Sequence, residues 1–223
     1  MKNLTIIVLA LFFSLNSQAQ KGKWVKLFDG KSLQNWHSWK KTDAAGWEIV
    51  NGELTTQGKG GDLLTNKQYE NFIFTFEFKA SPKGNSGVLY KVLENAKDST
   101  LFNTYASGPE FQIIDDANYP QPITDKQKTG ASYDIIAPYD LKIVKPAGEW
   151  NKGKIEINNN KITHTLNGVV VASYTYGTDE WAKSVAASKF AKWPYAKAHA
   201  KGHISLQGHG DVVSFKNIRI KEL

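Results

Sequence analysis

The chain has 223 residues, no Cys, a single Arg (Arg219) and a formal net charge of +7. Without Cys it can form no disulfide, no Cys-ligated metal site and no lipid anchor through an N-terminal Cys. The Lys residues are scattered among Asp and Glu and one Arg cannot build a base- or phosphate-reading surface, so nucleic acid is not an expected partner.

From the N-terminus, Lys2 gives a short positive start, Leu4 to Phe13 form an apolar run, and Ser17 and Ala19 are small residues at the −3 and −1 positions of a cleavage. The run is shorter than the ~20 apolar residues of a membrane span. It predicts a signal peptide over residues 1–19, a single domain over 20–223, and a periplasmic or secreted protein with no integral membrane segment after cleavage.

Turn signals then recur at short spacing, the pattern of an all-β chain. Trp47 to Val50, Asn51-Gly52 and Glu53 to Thr55 predict a hairpin with a two-residue turn. Phe72, Phe74, Phe76 and Phe78 alternate with Ile73, Thr75 and Glu77, the period of a strand. Further strands are expected at Val88 to Val92 after the turn Gly84-Asn85-Ser86-Gly87, at Glu110 to Ile114, at Ile155 to Ile157, and at Ile162 to Leu166. Beyond Asn167-Gly168, Val169 to Tyr174, Ile204 to Gln207 and Val212 to Ile220 complete the set. One helix is predicted over Glu180 to Phe190, capped by Thr178 or Asp179, with Trp181 and Val185 on one face.

Glu110 and Gln112 lie two apart on one strand face, opposite Phe111 and Ile113. Such a pair is wet on an ordinary sandwich exterior; the following Asp115-Asp116 favours a site that holds a sugar or a hard cation. His209 sits between glycines that let a ligand approach, and it is a second candidate for catalysis. His164 alternates with Ile162 and Leu166 and reads as a satisfied, half-buried histidine. The seven Trp, nine Tyr and eleven Phe suit a carbohydrate partner, since aromatic rings offer flat apolar faces.

Several segments together resemble the 3-keto-disaccharide hydrolase family. They are Leu27-Phe28-Asp29-Gly30-Lys31-Ser32-Leu33 with Trp36, Gly61-Asp62-Leu63-Leu64-Thr65, Gly84-Asn85-Ser86-Gly87-Val88, and Glu110-Phe111-Gln112-Ile113-Ile114-Asp115. Gly148-Glu149-Trp150-Asn151, His164 with Leu166-Asn167-Gly168, and Phe215 to Ile220 follow in family order. The resemblance implies an all-β, antiparallel jelly-roll β-sandwich, concanavalin A-like, with one short helix. It also implies an exported hydrolase of carbohydrate metabolism, a glycosidase that cleaves glycosides oxidised to a ketone at C3. Two departures stand out. Gly208 takes the place of an Asp in the nearest subgroup, and Lys91 takes the place of an Arg. If that Asp binds a metal or substrate, Gly208 removes it.

Similar sandwich glucanases carry Glu-x-Asp-x-x-Glu, whose two carboxylates act ~5–5.5 Å apart in retaining enzymes. Here the strand reads Glu110-x-Gln112-x-x-Asp115, and an amide is neither nucleophile nor base. A C3 ketone makes a second route available. It acidifies the C2 hydrogen, so one base can remove it, the C1 substituent leaves, and water adds back. Glu110 and His209 are the candidate bases. Gln112, Lys91 or a divalent cation would hold the enolate. Asn85, Tyr90, Lys91, Asp115, Tyr133 and Gln207 are the candidate sugar contacts. A divalent cation is a candidate cofactor, with Glu110, Asp115, Asp116 and His209 as its ligands; the alternative, slightly favoured, is that Asp115-Asp116-Ala117-Asn118 is a polar turn with Asx-type hydrogen bonds. The reading from a different class is a carbohydrate-binding module without catalysis, to which Gly208 lends weight.

Overall fold

The computed structural model describes residues 22–141 and 143–223. The expected signal peptide lies outside the described residues. Thirteen strands run through the described chain: β1 (Trp24–Lys26), β2 (Trp36–Ser38), β3 (Trp47–Val50), β4 (Glu53–Gln57), β5 (Leu63–Thr65), β6 (Phe72–Ala80), β7 (Asn85–Val92), β8 (Glu110–Ile114), β9 (Asn151–Asn158), β10 (Lys161–Leu166), β11 (Val169–Thr175), β12 (His203–Leu206) and β13 (Val212–Glu222). One sheet has eight strands in the order β11-β10-β9-β6-β13-β4-β3, with β1 also paired to β13. The other has five, in the order β2-β5-β12-β7-β8. Every pair is antiparallel, so the expected sandwich is the fold.

The period-two segments explain why the sheets meet. On β6, Phe72, Phe74, Phe76 and Phe78 are buried, while Ile73, Thr75 and Glu77 face outward. The Phe76 ring packs edge-on against Phe111 of β8 at 5.4 Å between centroids. Each fully buried Phe contributes about 1.5–3 kcal/mol of transfer free energy, so this strand alone anchors much of the core. Asn51 and Gly52 both take positive φ, 53° and 78°, the geometry that lets a two-residue turn follow the strand twist between β3 and β4.

Several boundaries differ from the expected ones, β9 for example running from Asn151 to Asn158, and two bear on the site. β7 starts at Asn85, because that residue pairs with Ile114 of β8 and draws the Asn-Ser-Gly segment into the sheet. The helix α1 spans Asp179–Ala186, with the Thr178 hydroxyl accepting from the Trp181 N–H and Trp181 and Val185 buried. It stops short of Phe190 because Ser188 caps a separate 3₁₀ turn at Lys189–Lys192. α1 and this turn belong to a long connection between β11 and β12.

Candidate functional site

Phe111 and Ile113 enter the core, and Glu110 and Gln112 project through the small sheet to its outer side. Periodicity alone would leave that pair wet. It is not: Glu110 is 7% exposed and Gln112 2%. β8 is an edge strand, and the chain closes that edge with its own residues 130–133. The Gln112 N–H donates to Ala131 O (3.1 Å), the Gly130 N–H to Gln112 O (2.9 Å) and the Tyr133 N–H to Glu110 O (3.1 Å). Tyr133 is thereby fixed beside Glu110. Tyr105, from a 3₁₀ turn at Thr104–Ala106, and Phe190 and Trp193, from the β11–β12 connection, form the opposite wall. The Trp193 ring lies 5.7 Å from Tyr105 and 5.4 Å from Phe190.

Glu110 fits there because its neighbour on β7 has no side chain. A Cβ at Gly87 would stand 2.0 Å from Glu110 Oε1. Among the described residues nothing donates a hydrogen bond to this carboxyl. Burial pushes its pKa up to about 8, the Asp62 carboxylate adds to the rise, the Lys189 ammonium opposes it and Asp134 raises it further. Lys189 Nζ lies 3.5 Å from Asp134 and 4.3 Å from the centre of the Tyr133 ring. Asp62 is the second buried carboxyl. It accepts the Gly208 N–H at 3.0 Å and the Thr104 hydroxyl, joining the turn that carries Tyr105 to the loop that carries His209. Burial raises its pKa, while those two donors pull against the rise.

The space has two lobes. One, of about 240 Å³, contains Glu110 and Lys189 among the aromatic rings, with Gln207 in its wall. The next, of about 330 Å³, runs along Tyr119 to Gln127. Asn85, Gln112, Tyr133 and His209 line both. A wider depression, about 550 Å³, lies on the outer face of the large sheet beside Thr75, Lys152 and Arg219. It contains no buried titratable side chain, in contrast to the Glu110 lobe.

Residues 23–221 match the 3-keto-alpha-glucoside-1,2-lyase-like domain. The chain belongs to that family. It is 33% identical to a 3-keto-disaccharide hydrolase of Bacteroides thetaiotaomicron, over 94% of this chain and 82% of that protein. A Parabacteroides distasonis protein assigned as a glycosyl hydrolase superposes with a TM-score of 0.82 at 32% identity, covering 90% of this chain and 94% of its own. The carbohydrate-binding module CBM66 of Bacillus subtilis shares the fold alone, with a TM-score of 0.53 at 11% identity over 84% of this chain and 96% of the module.

In this lyase-like domain the six residues Asn85, Glu110, Gln112, Tyr133, Gln207 and His209 meet at one cavity, as the sequence led us to expect. Four others do not reach it. Tyr90 points into the sandwich, where its hydroxyl meets His164 Nε2 at 2.9 Å and the Tyr174 hydroxyl at 3.0 Å. Lys91 takes a left-handed φ of 54° at an irregularity in the β7–β12 pairing. That breaks the alternation and sends its side chain under residues 199–200, where Nζ donates to His199 O at 3.2 Å. Asp115 accepts the N–H groups of Lys83 (2.8 Å) and Asn118 (3.2 Å) and so ties a turn together. Asp116 accepts the Thr129 N–H. The four proposed metal ligands are thus not gathered, and no group of three or more His, Cys, Asp or Glu converges among the described residues.

His164 is fully buried rather than half-buried. Burial lowers its pKa to about 4, against the pull of the Gly130 and Ala131 backbone. It is a neutral strut whose Nδ1 meets Gly130 O at 3.0 Å, at the start of the segment that seats Tyr133. Gly208 also differs from its expected meaning. A Cβ there would stand 2.3 Å from Gly60 O and 2.7 Å from Gly61 O. This backbone has no room for the subgroup's Asp. Sequence reasoning missed Asp62 as a group beside the site, although it had quoted the segment, and it missed Tyr105, Lys189 and Trp193 altogether. They lie in short turns with no periodic signal.

Proposed function

We propose that the protein cleaves 3-keto-glycosides by abstracting the C2 proton, with Glu110 as the base. The observation that carries this reading is the buried Glu110 carboxyl, with a pKa near 8 and accepting no hydrogen bond among the described residues, on the floor of a cavity whose wall also carries the Lys189 ammonium. A second carboxylate at the distance of a retaining pair is not required. Glu110 removes the C2 hydrogen, and the electron pair moves to make an enolate on the C3 oxygen. The enolate collapses: the ketone re-forms, a C1=C2 double bond forms, and the C1–O bond breaks. His209, at the junction of the lobes, supplies the proton that the leaving oxygen needs. Water then adds to C1, giving up a proton to His209, while Glu110 returns its proton to C2. The first half is a lyase step and the sum is hydrolysis, which reconciles the family's description with the relative's name. The Lys189 ammonium takes the role foreseen for Lys91. With the Gln112 amide it lies on the wall around Glu110 and stabilises the enolate.

The test is release of a keto-sugar from a 3-keto-glucoside, with the unoxidised glucoside as control. We expect turnover of the keto form alone, a loss of at least about 10²-fold in Glu110→Gln, and a smaller loss in Lys189→Met. Full turnover by Glu110→Gln would reject the assignment. A module that only binds sugar would retain the plain glycoside and leave the keto form intact. We also propose that the protein is exported. Sequencing the N-terminus of the mature protein tests this, with Gln20 expected as the first residue.

A further inference from the structure

We propose that the outer face of the eight-stranded sheet binds a glycan chain that carries uronate carboxylates. This face and the Glu110 lobe lie on opposite sides of the sandwich, so the proposal stands independently of the Glu110 reading.

Strand register sets the chemistry of this face, because residues directly opposite each other on neighbouring strands point to the same side. One such line crosses five strands. Lys26 of β1 is opposite Arg219 of β13, Arg219 is opposite Thr75 of β6, Thr75 is opposite Lys154 of β9, and Lys154 is opposite Thr165 of β10. The line holds three cations and no carboxylate. Like charges directly opposite each other destabilise a strand pair, and Lys26 and Arg219 are so placed. The adjacent line is balanced in the ordinary way, with Glu77 opposite both Lys152 and Lys216. Among the described residues Lys26 and Arg219 form no ion pair. Lys154 Nζ only approaches Glu156, at 3.6 Å between half-exposed side chains. Asp29, at the Lys26 end, is occupied with the N–H groups of Lys31 (2.8 Å) and Ser32 (2.9 Å).

Shape narrows the occupant. Thr75, Lys154, Thr165 and Arg219 line the depression of about 550 Å³, and a smaller recess of about 180 Å³ continues it past Arg219 to Lys26. Two strand spacings put Arg219 and Lys154 about 10 Å apart, with Thr75 between them. A chain laid along this line meets cation, hydroxyl and cation in turn. A uronate chain offers carboxylates to the guanidinium fork and the ammonium, and hydroxyls to Thr75 and to the Asn217 amide beside it. Thr165 is 8% exposed, and its hydroxyl has no hydrogen-bond partner among the described residues, so the floor holds a polar group still to be paired. Phe76, the aromatic residue of this depression, turns its ring into the core and leaves no platform on which bases could stack. A bilayer surface would span the recess without entering it, whereas a single chain fits inside.

The experiment measures binding by calorimetry at low salt, where charge contacts are least screened. The probes are tetragalacturonate, neutral maltotetraose, and tetraglutamate, which offers carboxylates without sugar hydroxyls. Arg219→Ser and Lys154→Ser each remove one cation, and Thr75→Glu sets a carboxylate between the two. We expect the wild type to bind tetragalacturonate at least about tenfold more tightly than either other probe, and each serine variant to weaken that binding about fivefold or more. Thr75→Glu should abolish it and raise the melting temperature, because Arg219 and Lys154 then face an opposite charge. Turnover of a small 3-keto-glucoside should be the same in all three variants as in the wild type. No binding of tetragalacturonate, or binding indifferent to both serine variants, would overturn the proposal. Tetraglutamate binding as tightly as tetragalacturonate would overturn it too, since the face would then respond to charge and not to a sugar. If the wild type turns over no keto-glucoside, the Glu110 reading fails and the binding series alone decides this face.

Discussion

A carboxyl on the floor of a recessed cavity must ionise before it can act as a base, and burial opposes that step at Glu110. Below its pKa of about 8 the group is mostly protonated. We expect kcat/KM to rise about tenfold per pH unit up to that value and then level off; a profile flat from pH 6 to 9 would contradict this. The same shift acts on stability. Between the ordinary carboxyl value of 4.5 and about 8, the folded protein retains a proton that the unfolded chain releases. The stabilisation is complete below the unfolded value and lost as pH rises through the folded one. Glu110→Gln is neutral throughout, so its melting temperature should exceed that of the wild type by more at pH 9 than at pH 5, by the equivalent of a few kcal/mol at about 1.4 kcal/mol per pH unit. Gly87→Ala puts a methyl group where Oε1 lies. It should reduce turnover at least about tenfold while costing about 1–3 kcal/mol of stability, measured by kinetics and denaturant unfolding. Gly208→Asp, which restores the subgroup's residue, should destabilise and bring no gain in rate, because two carbonyl oxygens occupy the space.

At the scale of single elements, the strands were legible where alternation ran unbroken and the site residues were not legible where it failed. The four phenylalanines of β6 reveal their buried face directly. Lys91 misleads because its left-handed backbone interrupts the strand period, a feature that a Lys in the sequence does not announce. At Asp115 the turn reading holds and the ligand reading does not. A carboxylate at a strand end suits a ligand and a turn equally well, and only the placed N–H groups of Lys83 and Asn118 decide. Burial works against its ionisation, yet those donors outweigh it and hold its pKa below the ordinary value. Asp115→Ala should therefore cost about 1–2 kcal/mol at pH 7 and progressively less as pH falls through the carboxylate range, with KM for the keto substrate barely moved. A large KM effect would restore Asp115 to the sugar contacts. Tyr90→Phe removes a partner from buried His164 and should destabilise by about 1–3 kcal/mol, with its effect on turnover arising only through the seating of Tyr133.

Across the whole molecule, the sandwich could be read from the sequence because period two is local information. Only the floor of the cavity could be read in this way. Glu110 and Gln112 share five consecutive residues of β8, but Tyr105, Lys189 and Trp193 are brought over them by topology, from turns far apart in the chain. The outward pair of β8 thus looked like ordinary exterior until its cover was seen. The cavity is aromatic-walled, and its rings come from turns and connections and not from strands.

The turn carrying Lys189 and Trp193 belongs to the excursion between β11 and β12, whereas Glu110, Gln112 and Gly87 sit on paired strands. The base and most of its enclosure are therefore inherited on separate stretches of chain, with Lys189 the reactive group that the excursion carries. Lengthening, shortening or exchanging the excursion leaves every hydrogen bond between β7 and β8 in place. With Lys189 held, mutation can then explore new shapes for the enclosure without displacing the base, and libraries over the rest of residues 187–201 are the natural place to redirect this scaffold toward other keto-glycosides.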